Sequence, residues 1–390
     1  MQNLLRDFSV PAAFAGFMTC LVGISVSAVL VIQTAQSLGA NQAQISSWFW
    51  SLCLGIGLCG LVLSWIFKYP VVTSWSTAGL AMILASASGY SLNEAIGAFV
   101  ICGILTAVLG FSGIFSRILA FIPSSLTCAM LAGVLLKFGV ALFSGLEQSV
   151  GFIVLLLAIY VISKRLLPRY SMVITVLAAV AICPMFMQFN LPQLQWRITT
   201  PVWVNPTFNL AAILGLALPL LVINMASQYL PGIAIIQAYG YKPHVKALMG
   251  WTGTVQTLLA PFGCFAVNTA AISAAISLDE QAHPDPKRRY IAGMSSGLCY
   301  IIVAIFAATL TQALLSFPSL LITAIAGIAL FGTISHNITV AFSEANHREA
   351  ALITFLMSAS GIQFFNIGSA FWGLVLGLII NLILNAKKAA

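Results

Sequence analysis

The chain has 390 residues, 61% of them hydrophobic and only 6% charged, with a mean hydropathy of +1.04. A soluble domain carries about a quarter charged residues, so this composition excludes a water-soluble globule and makes lipid the solvent. The net charge of +8 is scattered singly or in short clusters between apolar runs, which argues against nucleic acid as a partner and suits membrane-orienting charge.

A helical span needs about 20 apolar residues. In chain order the sequence predicts segments at 10–36, 48–67, 70–88, 94–113, 117–144, 149–163, 170–188, 209–238, 244–260, 264–278, 290–315, 318–342, 348–361 and 368–385, 14 in all. The fold class expected is therefore an all-α polytopic membrane protein. The first run has no cleavage pattern and reads as a span. The eight cysteines lie within apolar segments without a Cys-x-x-Cys pair, and read as small buried hydrophobes rather than disulfides or metal ligands.

With the N-terminus inside, 14 of the 16 basic residues fall on the cytoplasmic side. These include Arg6, Lys68, Lys164, Arg165, Lys242, Lys246, Lys287, Arg288, Arg289 and Arg348, with Lys387 and Lys388 at the end. Arg197 and Lys137 are the exceptions. That bias places both termini in the cytoplasm and the chain in an inner, cytoplasmic membrane.

Two segments are short and dense in Ser, Thr, Ala and Gly. Pro70 opens "PVVTSWSTAGLAM" and Pro261 opens "PFGCFAVNTAAIS", 191 residues apart. Each is third in a half of seven segments. Seven is odd, so the second half crosses upside down. Interrupted segments at matching places in inverted halves point to a transporter's central site. The stretch 191–208 reads as the external connector between halves.

Broken backbone in a bilayer is tolerated only where protein or a watery cavity satisfies it. Val71, Val72 and Thr73, and likewise Phe265, Ala266 and Val267, suit a short extended stretch. A half-helix is then expected to start at Ser76-Thr77 and another at Asn268-Thr269, because Ser, Thr and Asn favour N-caps. Two such ends, each with about half a positive charge, would face each other as an anion site without Lys or Arg. Trp75 beside it would suit a carboxylate on a flat apolar body. A single buried Asn or Ser reads more simply as interhelical glue; two matching breaks favour a substrate site.

The eighth segment carries "PLLVINMASQYLPG". Asn224, Ser227 and Gln228 stand at i, i+3 and i+4 and would share a helix face. Gln228 both donates and accepts, so it could serve a carboxylate and a backbone group together. Asn224 reads equally well as glue.

All eight acids, Asp7, Glu94, Glu147, Asp279, Glu280, Asp285, Glu344 and Glu349, map to segment ends or loops. Intramembrane carboxylates are the usual proton relays. A proton would instead travel on His336, on water, or on the substrate. His336 in "TISHNIT" sits towards the cytoplasmic end of its segment and reads more simply as an interfacial histidine. The loop "LDEQAHPDPKRRY" (278–290) has irregular ligand spacing and reads as a charged brace, not a metal site. No metal, cofactor, nucleotide-binding loop or catalytic constellation is called for.

"SWSTAG" (74–79), "MASQYLPG" (225–232), and "NTAAISAAI" with "AHPDPKRRY" (268–290) together resemble the BenE family of benzoate/proton symporters. That family is in turn similar to the wider uracil-permease and sulfate-permease group. The resemblance implies two inverted repeats of seven segments, with a core domain moving against a gate domain. On that basis 1–144 holds the first core segments 1–4 and the first gate segment, and 145–208 the rest of that gate half and the connector. Core segments 8–11 occupy 209–315, and 316–390 the second gate half. Substrate would lie between the third and tenth segments, against Trp75, Ser76, Thr77, Gln228, Tyr229, Asn268 and Thr269, with Asn224, Ser227 and His336 as secondary candidates. The sequence departs from the family at Ala78, where Pro is usual, at Tyr229, where Asn is usual, and at Cys264, where a second Gly is usual. The expected function is proton-driven import of an aromatic carboxylate such as benzoate. A nucleobase or inorganic-anion carrier and an anion channel on the same scaffold are the alternatives. A homodimer is compatible with the sequence.

Overall fold

The computed structural model describes residues 6–115, 123–168, 170–187, 196–270, 273–362, 364 and 369–385. Arg117, Arg169, Lys387, Lys388 and the start of the connector lie outside them. The chain begins with α1 (Val10–Ser37) and α2 (Gln42–Phe67). Next come the strand β1 (Thr73–Ser74), the short helix α3 (Thr77–Ser86) and α4 (Leu92–Ser112). Helices α5 (Ser124–Ser144), α6 (Val150–Leu166) and α7 (Ser171–Phe186) complete the first half.

The second half opens with α8 (Leu210–Ala238), followed by α9 (Val245–Leu259), β2 (Asn268–Thr269) and α10 (Ala274–Leu278). It continues with α11 (Tyr290–Ile305), α12 (Ala307–Leu315), α13 (Ser319–Ala341), α14 (Arg348–Ser360) and α15 (Ser369–Asn385).

Helix thus occurs within every apolar segment expected from the sequence. By length and composition, five helices among the described residues are long and apolar enough to cross a bilayer on their own: α2, α4, α5, α8 and α13. The bent α1, and α11 together with α12, bring this to seven. Their outward faces are apolar, with Val62, Val108 and Leu298 exposed. This is a multi-pass membrane protein.

Two helix pairings recur in the two halves. α2 lies against α11 and α4 lies against α9, and exchanging the halves exchanges these pairs. Both contacts are backbone-close. A Cβ on Gly297 would stand 2.5 Å from the Leu61 nitrogen, and one on Gly253 would stand 2.4 Å from that of Ala107. Small residues allow such approach, and van der Waals packing then holds helices that lipid does not drive together. α5 packs on α13 and α14, and α14 on α15.

The described part of the connector straps one end of the molecule. Val204 N–H donates to the Pro261 carbonyl at 2.9 Å, and Thr207 N–H to that of Asn93 at 2.9 Å. The loop 278–290 braces another region. Arg289, 4% exposed, donates to the carbonyls of Leu278 at 2.8 Å and His283 at 2.7 Å. The first of these bonds closes the C-terminus of α10, where a cation complements the helix dipole. Tyr290 donates to Asp7 at 2.9 Å, and Tyr241 donates to the Pro286 carbonyl at 2.8 Å. Burial raises the Tyr241 pKa, and the nearby Arg289 guanidinium draws it back down.

Candidate functional site

The two interrupted segments meet as a sheet. β1 and β2 pair antiparallel, Thr73 opposite Thr269 and Ser74 opposite Asn268, and Ala270 N–H extends the ladder to the Val72 carbonyl at 2.9 Å. Extended, β-branched residues at both breaks make this crossing, and each strand satisfies the other's backbone.

Further side-chain bonds tie the freed backbone to the flanking helices. Ser64 Oγ on α2 accepts from Val71 N–H at 2.9 Å. Thr73 Oγ1 donates to the Ile56 carbonyl at 2.8 Å. Ser47 and Ser51 both donate to the Phe262 carbonyl, at 3.1 and 3.2 Å. Gln256 on α9 donates to the Phe265 carbonyl at 2.9 Å and to that of Phe99 at 3.3 Å. Sequence reading missed this ring. Its signal was a Ser or Gln standing in an otherwise apolar helix beside a break.

Ser76 is the N-cap of α3, its Oγ accepting from Gly79 N–H at 2.9 Å. A half-helix therefore starts at Ser76-Thr77 as expected. Gly79 is the third helical residue, so the cap leaves the amides of Thr77 and Ala78 at the positive end of the helix.

The second half differs. Asn268 and Thr269 belong to β2 rather than to a helix N-terminus, because pairing with β1 holds them extended. The next helix, α10, starts at Ala274 after Ser273 and has only five residues. The expected pair of facing helix ends is thus one helix end and one strand.

Asn268 and Thr269 are fully buried. Thr269 Oγ1 donates to the Gln228 carbonyl at 3.2 Å, which ties β2 to α8. Among the described residues neither polar atom of the Asn268 carboxamide has a hydrogen-bond partner. The same holds for Asn224. Buried polar atoms without partners are rare and mark a ligand, a water or a functional constraint.

α8 is wound as π-helix at Ile213–Ala217 and again at Met225–Tyr229. Pro219 and Pro231 explain both. Each lacks the N–H that would close the α-helical bond to the residue four before it, and the wider turn bonds across five instead, Leu230 N–H to Met225 and Leu218 N–H to Ile213. π-Segments often occur at functional sites, and the second one carries Gln228. Because it widens the turn, Asn224, Ser227 and Gln228 do not keep the simple i, i+3, i+4 stacking. Ser227 donates back to the Ile223 carbonyl at 2.7 Å, while Gln228 stays half-buried beside β2.

Gly232, one turn on, keeps α8 close to the strand. A Cβ there would stand 2.5 Å from Thr269 Oγ1.

Three residues named from the sequence lie elsewhere. Trp75 donates to Ser27 Oγ and packs edge-on against Phe49 and Tyr300, so its ring fills the seam with α1, α2 and α11. Tyr229 is fully buried; its hydroxyl lies 2.7 Å from Thr252 Oγ1 and donates to the Val267 carbonyl at 3.1 Å. His336 is exposed on α13, in a cleft with Tyr160 and Lys164, apart from the strand crossing. The crossing joins Asn268 and Thr269 to Gln228, and β1 leads within two residues to the Ser76-Thr77 start of α3. No cluster of three metal-ligating side chains occurs among the described residues.

The turn before β2 explains one departure from the resembled family. Gly263 has φ of +103°, and a Cβ there would stand 1.9 Å from Trp48 Cδ1, so only glycine fits. Cys264 has no positive φ, and a second glycine is not required.

The BenE family model, described as benzoate membrane transport protein, matches residues 6–383. The chain belongs to the BenE family. It is 36% identical over 383 residues to "Inner membrane protein YdcO" of Escherichia coli (strain K12), covering 98% of each chain. It is 33% identical over 390 residues to the "Benzoate membrane transport protein" of Acinetobacter baylyi (strain ATCC 33305 / BD413 / ADP1), covering 100% of this chain and 99% of that one.

Two solved structures share the BenE chain's fold at low identity. One is the overall structure of SLC26A9, with TM-score 0.68 and 14% identity over 98% of this chain and 66% of that chain. The other is the transmembrane domain of a cyanobacterium bicarbonate transporter, BicA, with TM-score 0.62 and 14% identity over 97% of both.

Proposed function

We propose that this BenE chain is a secondary active transporter of the bacterial inner membrane that imports an aromatic carboxylate, benzoate first, together with protons. The observation that carries this reading is the buried Asn268 carboxamide, unpartnered among the described residues, at a strand crossing beside the N-terminus of α3. The α3 amides and dipole supply a partial positive charge for a carboxylate. Asn268 and the half-buried Gln228 supply donors that fix its orientation. Tyr229 supports β2 from behind through Val267, Thr269 holds β2 on α8, and Asn224 and Ser227 complete the polar stretch of α8. The relative named for benzoate transport supports the substrate class.

In this reading the chain forms 14 segments in two inverted repeats of seven. The exchange of the α2–α11 and α4–α9 contacts between halves supports that symmetry. The core comprises 1–4 and 8–11 of these segments, the gate the remainder, and alternating access follows from movement of one against the other. Both termini lie in the cytoplasm, by the placement of basic residues.

The test is uptake of labelled benzoate into proteoliposomes under an imposed pH gradient, with sulfate, bicarbonate and uracil as competitors. Saturable uptake that collapses with a protonophore and ignores the competitors is the expected result. Uptake indifferent to the gradient removes proton coupling, and ohmic currents without saturation replace the carrier by a channel. The fold shared with a bicarbonate transporter favours a second reading, an inorganic-anion carrier, which competition by bicarbonate or sulfate but not benzoate would establish.

A further inference from the structure

The cleft between α6 and α13 lies outside the strand crossing, and no residue lining it belongs to that site except the secondary candidate His336. We propose that this cleft binds the phosphate headgroup of an anionic membrane lipid. It has a volume of about 440 Å³. Lys164, Tyr160, Ser335 and His336 supply its polar groups, and Val161 and Phe331 its apolar ones.

The cation is held in place for this role. Lys164 Nζ donates to the Tyr160 hydroxyl at 3.1 Å and lies 5.4 Å from the centroid of the Tyr160 ring, so the ammonium stays over the cleft. Among the described residues no carboxylate pairs with it and none lines the cleft. The Ser335 and His336 side chains are exposed and turn further hydrogen-bonding groups towards the same space. A Cβ on Gly332 would meet nothing within 4 Å, so the cleft floor is open.

Position selects a lipid over free phosphate. Lys164 and His336 stand near the C-terminal ends of their helices, where side chains reach the headgroup layer. The flank of α6 is apolar and exposed, Val161 at 61%, Ile162 at 58% and Leu166 at 69%, so an acyl chain runs along it while the phosphate sits against Lys164. Basic clefts between membrane helices at this depth take anionic headgroups.

The experiment is native mass spectrometry of the full-length protein released from micelles doped with phosphatidylglycerol, phosphatidylcholine or inorganic phosphate. Phosphatidylglycerol is expected to be retained about five-fold better than phosphatidylcholine, with Lys164→Gln removing that preference and Arg165→Gln sparing it. Equal retention of both lipids overturns the proposal, as does an Arg165→Gln loss equal to that of Lys164→Gln. Displacement of the lipid by millimolar inorganic phosphate overturns it in favour of a free-anion site. Should Lys164→Gln not fold, the double change Ser335→Ala with His336→Gln serves instead. It is expected to lower retention about two-fold, and an unchanged value counts against the cleft.

Discussion

Tyr229 on α8 donates its phenolic hydroxyl to the carbonyl of Val267 at 3.1 Å, just before β2. This bond ties the π-wound turn that carries Gln228 to the strand that carries Asn268. The Tyr229 side chain thus supports the crossing from behind.

Tyr229→Phe therefore leaves a buried carbonyl unpaired, which costs about 1–3 kcal/mol. Thr252 keeps its bond to the Leu248 carbonyl at 2.7 Å, so the loss is confined to Val267. Thermal unfolding in detergent measures it, and benzoate affinity is expected to fall with it. Wild-type stability in the variant would show that the bond does not support the strand.

Asn268→Ala and Gln228→Ala are expected to weaken benzoate binding by about 10–100-fold each, the range for hydrogen bonds to a charged group. Asn337→Ala is the control, since Asn337 is buried but bonded to its own helix at Thr333, and it is expected to change binding less than about two-fold. Isothermal titration of the three variants decides the matter. Equal losses would remove the strand crossing as the binding site.

Gln256→Leu keeps the size of the side chain and deletes the donor to the Phe265 carbonyl. It is expected to lower stability by about 1–3 kcal/mol with no new cavity. Limited proteolysis near 261–270, faster in the variant than in wild type, would locate the loss at the unwound stretch.

Gly263→Ala meets both a left-handed backbone, worth about 1–2 kcal/mol, and the Trp48 ring. It is expected to abolish a folded, monodisperse peak in size-exclusion chromatography. Cys264→Ala at the next position is expected to leave that peak intact. A reversal of the two results would place the turn's constraint on the wrong residue.

His336→Gln is expected to preserve the pH dependence of benzoate uptake, because His336 is exposed in the α6–α13 cleft rather than at the crossing. Flat pH profiles in that variant would assign the proton to His336.

Much of this was legible in the residues. Pro70 and Pro261 announce the two breaks because a proline lacks the N–H that would continue the helical ladder. Ser76 announces α3 because capping is a local interaction. Asn268-Thr269 misled by the same logic. Asn and Thr suit an N-cap, yet these two pair with Ser74 and Thr73 from the other half, a partner no local rule supplies. The π-turn at Gln228 was half legible: Pro231 stood in the sequence, but whether a proline kinks a helix, ends it or widens it depends on what packs beside it.

The sequence by itself determined the solvent, the helical class, the family resemblance and the location of the breaks, since hydropathy, proline and caps act within a few residues. Only the tertiary structure decided that the breaks close on each other as β1 and β2. It also decided that Ser47, Ser51, Ser64, Gln256 and Tyr229 satisfy the opened backbone, and that Trp75 faces the seam instead of the crossing. Those outcomes depend on groups far apart in the chain, and in a membrane interior each buried N–H and C=O must find its partner in the protein or in a water-filled cavity.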